Sequence, residues 1–282
     1  MADAPPVTDP RQRMRQTYQL GRTAVRAARV DTRFSYALYV PPDFTAETRI
    51  VVCVHGSTRD SFLDFRNGFA EFGRWNDCLI LCPLFPIGVR GDDEANGYKY
   101  MEEGEIRYDR VLLGMVDEVK ERYGLTADTF AICGYSGGGH FAHRFAILHP
   151  AKLWACSVGA AGSVTLLDAN RDWWVGIRDL KARFGIELDR AAIARLPVHM
   201  VVGDADLETW EITHQPGGKR WMEGANDAGR TRPERLDALR RSFEAAGAKV
   251  RFDLLPGVSH DRMKAMGKMQ DFFADVMKRK EA

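Results

Sequence analysis

Short, nearly continuous apolar runs recur along the chain at residues 50–54, 79–81, 130–133, 153–158 and 198–202, with a more mixed run at 250–255. Runs without polar alternation suit strands buried on both faces, as in a parallel sheet covered by helices. Residues 33–40 differ. There Phe34, Tyr36, Leu38 and Val40 alternate with other residues, and Pro41 and Pro42 end the stretch. A further short strand is expected at 17–20.

Between these runs lie helical patterns. Residues 106–123 carry Val111, Leu112, Met115, Val116 and Val119 on one stripe, with Gly124 where a C-terminal cap belongs. Residues 138–148 are apolar on one side and stop at Pro150. Residues 233–246 open with Pro233 and end at Gly247, and 261–279 close the chain as an amphipathic helix. Strand–helix alternation of this kind predicts an α/β architecture with right-handed crossovers.

Two stretches break the alternation. Residues 163–196 contain Asp172, Trp173 and Trp174, and residues 207–231 are rich in Gly and charge. Both are expected to be lid-like excursions over a site. Residues 1–15 read as a flexible polar tail and 16–282 as one domain.

Composition narrows the function classes. The 282 residues are 45% hydrophobic and 28% charged, an ordinary soluble balance. With 40 basic and 39 acidic residues, the net charge of +1 gives no reason to expect nucleic acid or an acidic membrane as partner. No apolar run approaches the roughly 20 residues that cross a bilayer, and the first residues lack the apolar core of a signal peptide. The 5 cysteines fall in or beside strand-like runs and read as small buried thiols rather than disulfides or a metal site. A cytoplasmic location follows as an expectation.

The chemistry concentrates at Gly134-Tyr135-Ser136-Gly137-Gly138, directly after the run 130–133 and opening a helix. This is G-x-S-x-G in the strand–turn–helix setting that gives it meaning. So sharp a turn projects a serine Oγ at the carboxyl end of the sheet, beside a helix N-terminus that favours developing negative charge. Ser136 is therefore the expected nucleophile, and it needs a base and an acid. The order in such a turn is Ser, acid, His. The run 198–202 is followed by Gly203-Asp204-Ala205-Asp206, and 250–255 by Pro256-Gly257-Val258-Ser259-His260. His260 is the expected base. Asp206 is favoured as the acid over Asp204, because it lies further into the loop, with Glu208 third.

Other histidines compete less well. His55 belongs to the turn after the third strand. His140 and His143, three apart on a helix, have no third ligand nearby in sequence, so packing or capping is expected and metal binding is not. His149 and His199 flank predicted elements, and His214 lies in an irregular loop. The oxyanion donors are expected to be the N–H of Gly137 and that of Ser57, with Thr58 the alternative.

For the pocket, Tyr135 adjoins the nucleophile, Trp173, Trp174 and Phe184 lie in the first excursion, and Trp210 follows the acid. Two readings of these aromatics stand level: a wall for an apolar substrate group, or the excursion's own small core. Arg59, just behind the oxyanion loop, is open to pairing with a substrate carboxylate or to being a solvated charge.

Three stretches, VCVHGS, DEVKERYGLTADTFAICGYSGGGHFAHRFAILHP and GVSH, resemble the α/β-hydrolase superfamily, in particular its polyhydroxybutyrate-depolymerase-like and feruloyl-esterase-like branch. The resemblance implies an eight-stranded, mostly parallel sheet flanked by helices, with a small lid excursion after the sixth strand. It also implies acyl-enzyme chemistry without cofactor, with catalytic roles at Ser136, Asp206 and His260. The elbow GYSGGG departs from that branch, which more often has His before the Ser and Asn after it. A small-molecule ester is thus expected rather than an extracellular polymer, with lactone or amide as related substrates. Lyase or cofactor-free peroxidase chemistry on the same fold, or non-catalytic ligand binding, are the alternatives. Oligomeric state is not legible.

Overall fold

A computed structural model describes residues 18–281; the expected tail at 1–15 lies outside them. The strands, in chain order, are β1 (Gly21–Arg22), β2 (Arg26–Ala28), β3 (Asp31–Val40), β4 (Arg49–Val54), β5 (Cys78–Leu84), β6 (Glu102–Glu103), β7 (Ile106–Arg107), β8 (Phe130–Tyr135), β9 (Leu153–Gly159), β10 (Pro197–Gly203) and β11 (Lys249–Leu255). The helices are α1 (Ser61–Gly68), α2 (Ala70–Trp75), α3 (Tyr108–Tyr123), α4 (Gly137–Leu148), α5 (Leu180–Phe184), α6 (Arg190–Arg195), α7 (Arg232–Ala245) and α8 (Arg262–Glu281).

One 9-stranded sheet organises the chain, in the order β1-β3-β5-β4-β8-β9-β10-β11, with β2 also on β3. From β5 to β11 every neighbouring pair is parallel, and β3 joins β5 antiparallel. Eight strands were expected. The difference lies at the outer edge, where β1 pairs with Tyr39 and Val40 and β2 with Asp31, Ser35 and Tyr36. Two short strands thus share one edge position. The strand expected at 17–20 is not formed in its described part, and the sheet begins at Gly21 instead.

The continuous apolar runs became the central strands for the expected reason: β4, β8 and β9 are buried along almost their whole length, covered on both faces. Helix α4 is almost wholly buried too, because it packs centrally on β8 and β9. Helix α3 starts at Tyr108 rather than at residue 106. Gly104, at φ 57°, turns the chain into the β6–β7 hairpin, which claims Ile106 and Arg107. Gly124 closes α3 at φ 65°, its N–H donating to the Lys120 carbonyl. Helix α7 is capped by Thr231, whose side chain accepts from the Glu234 N–H while Glu234 accepts from the Arg230 N–H at 2.6 Å.

All five cysteines are free and buried. Among the described residues, no helix is long and apolar enough to cross a membrane.

Candidate active site

Ser136 links β8 to α4 at φ 56° and ψ −118°, a conformation that costs energy for any residue with a side chain. The surrounding glycines explain how the chain closes there. A Cβ on Gly134 would sit 2.4 Å from the Gly138 backbone, and one on Gly138 would sit 2.1 Å from the Val54 carbonyl oxygen. Backbone approaches backbone at both points, so side chains are excluded. The Ser136 N–H donates to the Gly159 carbonyl at 2.9 Å, tying the turn to β9.

The loops after β10 and β11 meet beside this turn. His260 Nδ1 lies 2.6 Å from Asp206 Oδ2, with Asp206 buried. Asp204 does different work. It is exposed, and its Oδ1 accepts the Gly257 N–H at 2.7 Å, holding the loop that carries His260. Glu208 is also exposed; its backbone carbonyl, not its carboxylate, accepts from Arg232 Nη1 at 3.4 Å. Of the three candidate acids, the structure brings Asp206 to the histidine.

Ser136, His260, Tyr135, Ser57 and Thr58 line one pocket of about 170 Å³. The His260 ring bonds Asp206, and no hydrogen bond joins it to the Ser136 side chain. The Tyr135 ring lies 4.9 Å from the His260 ring, and burial raises its phenol pKa. Gly137 begins α4, where an N–H has no intrahelical acceptor. A Cβ placed on it would sit 3.0 Å from Ser57 N, so the two amides proposed as oxyanion donors are neighbours.

The loop carrying Ser57 is held from three sides. Gly56 N–H donates to Ser61 Oγ at 2.8 Å. His55 lies between the Gly56 carbonyl, 2.8 Å from Nδ1, and the Phe85 N–H, 3.0 Å from Nε2. The Phe85 N–H requires Nε2 to accept, so Nδ1 carries the proton, and burial lowers the ring pKa to about 3. Arg59 donates to the carbonyls of Phe85 (2.9 Å), Ala95 (2.7 Å) and Ser57, and lies over the Tyr98 ring. Its guanidinium is therefore committed to backbone rather than solvated.

Trp173 and Trp174 are both buried and do not line the Ser136 pocket. Their indole N–H groups donate to the Tyr100 and Arg220 carbonyls, each at 3.0 Å. Trp173 meets Phe184 edge-on within the excursion and Trp174 meets Tyr100 outside it, so both indoles pack the excursion onto the rest of the fold. Trp210 is 74% exposed and lies outside the pocket lining. His140 and His143 pin the start of that excursion: His140 Nε2 accepts the Gly162 N–H at 2.8 Å, and His143 Nε2 accepts the Thr165 N–H at 3.0 Å. Burial lowers both imidazole pKa values, as suits acceptor rings.

Sequence reasoning missed Arg232. Buried at the first turn of α7, it donates to Asp206 Oδ1 at 3.0 Å and to Glu211 Oε2 at 2.6 Å. Asp206 thus has one oxygen on His260 and the other on a guanidinium. The capping pattern at Thr231 and Glu234 locates the helix start, but nothing local reveals which carboxylate Arg232 reaches. Lys99 and Glu211 were also passed over, in segments without periodicity.

The parallel sheet, the sharp Ser136 turn and the loops that carry Asp206 and His260 define the α/β-hydrolase fold. Among solved structures, the chain is similar to a poly(3-hydroxybutyrate) depolymerase from Bordetella parapertussis, with TM-score 0.72, 20% identity, and 91% of each chain covered. It is similar to poly(aspartic acid) hydrolase-1 from Sphingomonas sp. KT-1, with TM-score 0.69, 21% identity, and 84% of this chain and 92% of that chain covered. A ferulic acid esterase gives TM-score 0.59 and 16% identity over 90% of this chain and 96% of that chain. No family model matches the sequence, and comparison with curated proteins finds no relative.

Proposed function

We propose that the protein is a serine hydrolase that cleaves a carboxylic ester, or a related lactone or amide, of a small molecule. The observation that carries this is a serine at positive φ, on a strand–helix turn, sharing a pocket with a histidine whose other nitrogen faces a buried carboxylate. The esterases and hydrolases among the structural neighbours support ester hydrolysis as the reaction.

In this reading the Asp206 contact keeps the proton of neutral His260 on Nδ1, so Nε2 is the base. Substrate binding closes the remaining gap between His260 and Ser136, since such contacts tighten on complex formation. Ser136 Oγ attacks the carbonyl carbon as its proton passes to His260 Nε2. The amides of Gly137 and Ser57 hold the oxyanion. His260 then protonates the leaving alcohol, and water repeats the sequence to free the acid. Arg232 donates to the other oxygen of Asp206 and so fixes the carboxylate that faces His260. No step requires a metal or an organic cofactor.

A cytoplasmic location belongs to the same reading, supported by five buried, unbridged thiols. The test is turnover of 4-nitrophenyl butyrate by the wild type, Asp206→Asn and Asp204→Asn. Asp206→Asn is expected to lose roughly 10⁴-fold in kcat, and Asp204→Asn far less. Equal losses would overturn the assignment of the acid. No turnover by the folded wild type, together with no reaction with a fluorophosphonate, would overturn the hydrolase reading.

A further inference from the structure

The charges around the Ser136 pocket do not balance. Lys99 lies in the 3₁₀ turn Gly97–Tyr100. Its Cε is 3.0 Å from the point a Cβ on Gly137 would occupy, the same distance as Ser57 N. Its stem therefore flanks the two amides assigned to the oxyanion. Among the described residues its ammonium has no hydrogen-bond or ion-pair partner.

The carboxylates whose fields reach Lys99 are Glu211 and Glu94. Glu211 borders the pocket but is held by Arg232 at 2.6 Å, and Glu94 is held by Lys219 and Arg220. The pocket's other carboxylate, Asp60, lies 3.5 Å from Arg262 Nη1.

The cations nearby lack such compensation. Arg144 is buried and spends its donors on the Lys99 carbonyl, Thr165 Oγ1 and Ser163 Oγ, with its guanidinium 4.6 Å from the Tyr100 ring centroid. Arg59 spends its donors on backbone carbonyls. Burial and these two cations lower the Lys99 pKa to about 8, which leaves the ammonium the main form at neutral pH. An ammonium drawn partly out of water beside two uncompensated guanidiniums is costly unless an anion joins it.

We propose that the substrate carries a carboxylate on its acyl portion, a few bonds from the scissile carbonyl, and that Lys99 Nζ donates to it. This rests on the hydrolase reading above. One point charge beside a pocket that Glu211 and Asp60 also line suits a monoanion better than a dianionic phosphate.

The test compares monomethyl glutarate with methyl valerate, two methyl esters of similar length, by acid release under pH control. The wild type is expected to prefer the anionic ester at least tenfold in kcat/KM. Lys99→Met is expected to bring that ratio close to one, and Lys99→Arg to restore most of it. A wild type that turns over the neutral ester with no anionic preference overturns the proposal while leaving the hydrolase reading standing. A wild type that cleaves neither ester and is inert to fluorophosphonate fails at the earlier step. If Lys99→Met lowers both esters equally, Lys99 serves the oxyanion or the loop, and the carboxylate site is wrong. Should that variant not fold, the wild-type ratio alone decides.

Discussion

Ser136, His260 and Asp206 stand at and beyond the carboxyl ends of β8, β11 and β10, whereas Ser157, His199 and Asp253 stand inside β9, β10 and β11. The second set is also connected. Ser157 Oγ lies 2.8 Å from His199 Nδ1, and His199 Nε2 lies 3.2 Å from Asp253 Oδ2. The residue types match those of the proposed catalytic set, yet His199 meets its carboxylate through Nε2 where His260 uses Nδ1, and the settings are opposite. Ser157 sits in regular strand, directly across from His199 in the β9–β10 register, and both are fully buried. Phe272 stacks on the His199 ring at 5.1 Å. The His260 side chain, by contrast, is 32% exposed and faces a pocket. Ser136 is held at positive φ, with a helix N-terminus and free amides beside it. Ser157 and His199 are closed to solvent. The inner set bridges three strands, which sets it apart from the Ser–His–Asp set proposed to react.

The sharpest way to break this contrast is to remove each serine. Ser136→Ala is expected to lower ester turnover by roughly 10⁴- to 10⁶-fold with thermal unfolding nearly unchanged, because among the described residues Ser136 Oγ has no hydrogen-bond partner. An active Ser136→Ala protein would end the distinction. Next in size is Arg232→Met, which leaves the buried Asp206 without its cation. Breaking such a pair costs about 3–5 kcal/mol, measurable by urea unfolding, and a lowered kcat should accompany it.

On the inner set the effects move from rate to stability. His199→Leu strands Ser157 Oγ and leaves Asp253 to Arg251 alone, and is expected to cost about 2–3 kcal/mol, while ester turnover persists at low temperature. Ser157→Ala removes one contact and is expected to cost about 1–2 kcal/mol, with kcat unaltered; a large kcat loss there would contradict the bracing role.

The smallest effect depends on pH. The His199 hydrogen bond, aided by Arg251, holds Asp253 down at about 2, below its ordinary 3.8. A depressed carboxylate stabilises the fold above its unfolded pKa, and that contribution fades as pH falls from about 3.8 to about 2. The stability gap between wild type and Asp253→Asn, followed by urea unfolding from pH 6 downward, should therefore close across that window. A gap constant down to pH 2 would deny the link.

The two sets also show what a sequence displays and what it hides. The strands were legible because burial on both faces leaves continuous apolar runs, and Ser136 because a sharp turn demands glycines on either side. Loops after the last two strands had to supply the partners, so Asp206 and His260 followed from order along the chain. His199 was placed beside a predicted element, but its bonds to Ser157 and Asp253 depend on strand register, which a run of apolar residues does not specify. Arg232 and Lys99 escaped for a similar reason. Their effect comes from what long, charged side chains reach across the fold, and no spacing encodes that. The tryptophan pair in the first excursion has two readings from sequence; its burial and its bonds to the Tyr100 and Arg220 carbonyls make it packing between the excursion and its neighbours rather than a pocket wall.

The most direct measurement is reaction of the wild-type protein with a fluorophosphonate, followed by peptide mass spectrometry. One stoichiometric adduct on Ser136 is the expected result, with Ser157 unmodified and labelling abolished in Ser136→Ala. No adduct on the folded protein, or an adduct that persists in Ser136→Ala, would contradict the assignment of Ser136 as the nucleophile.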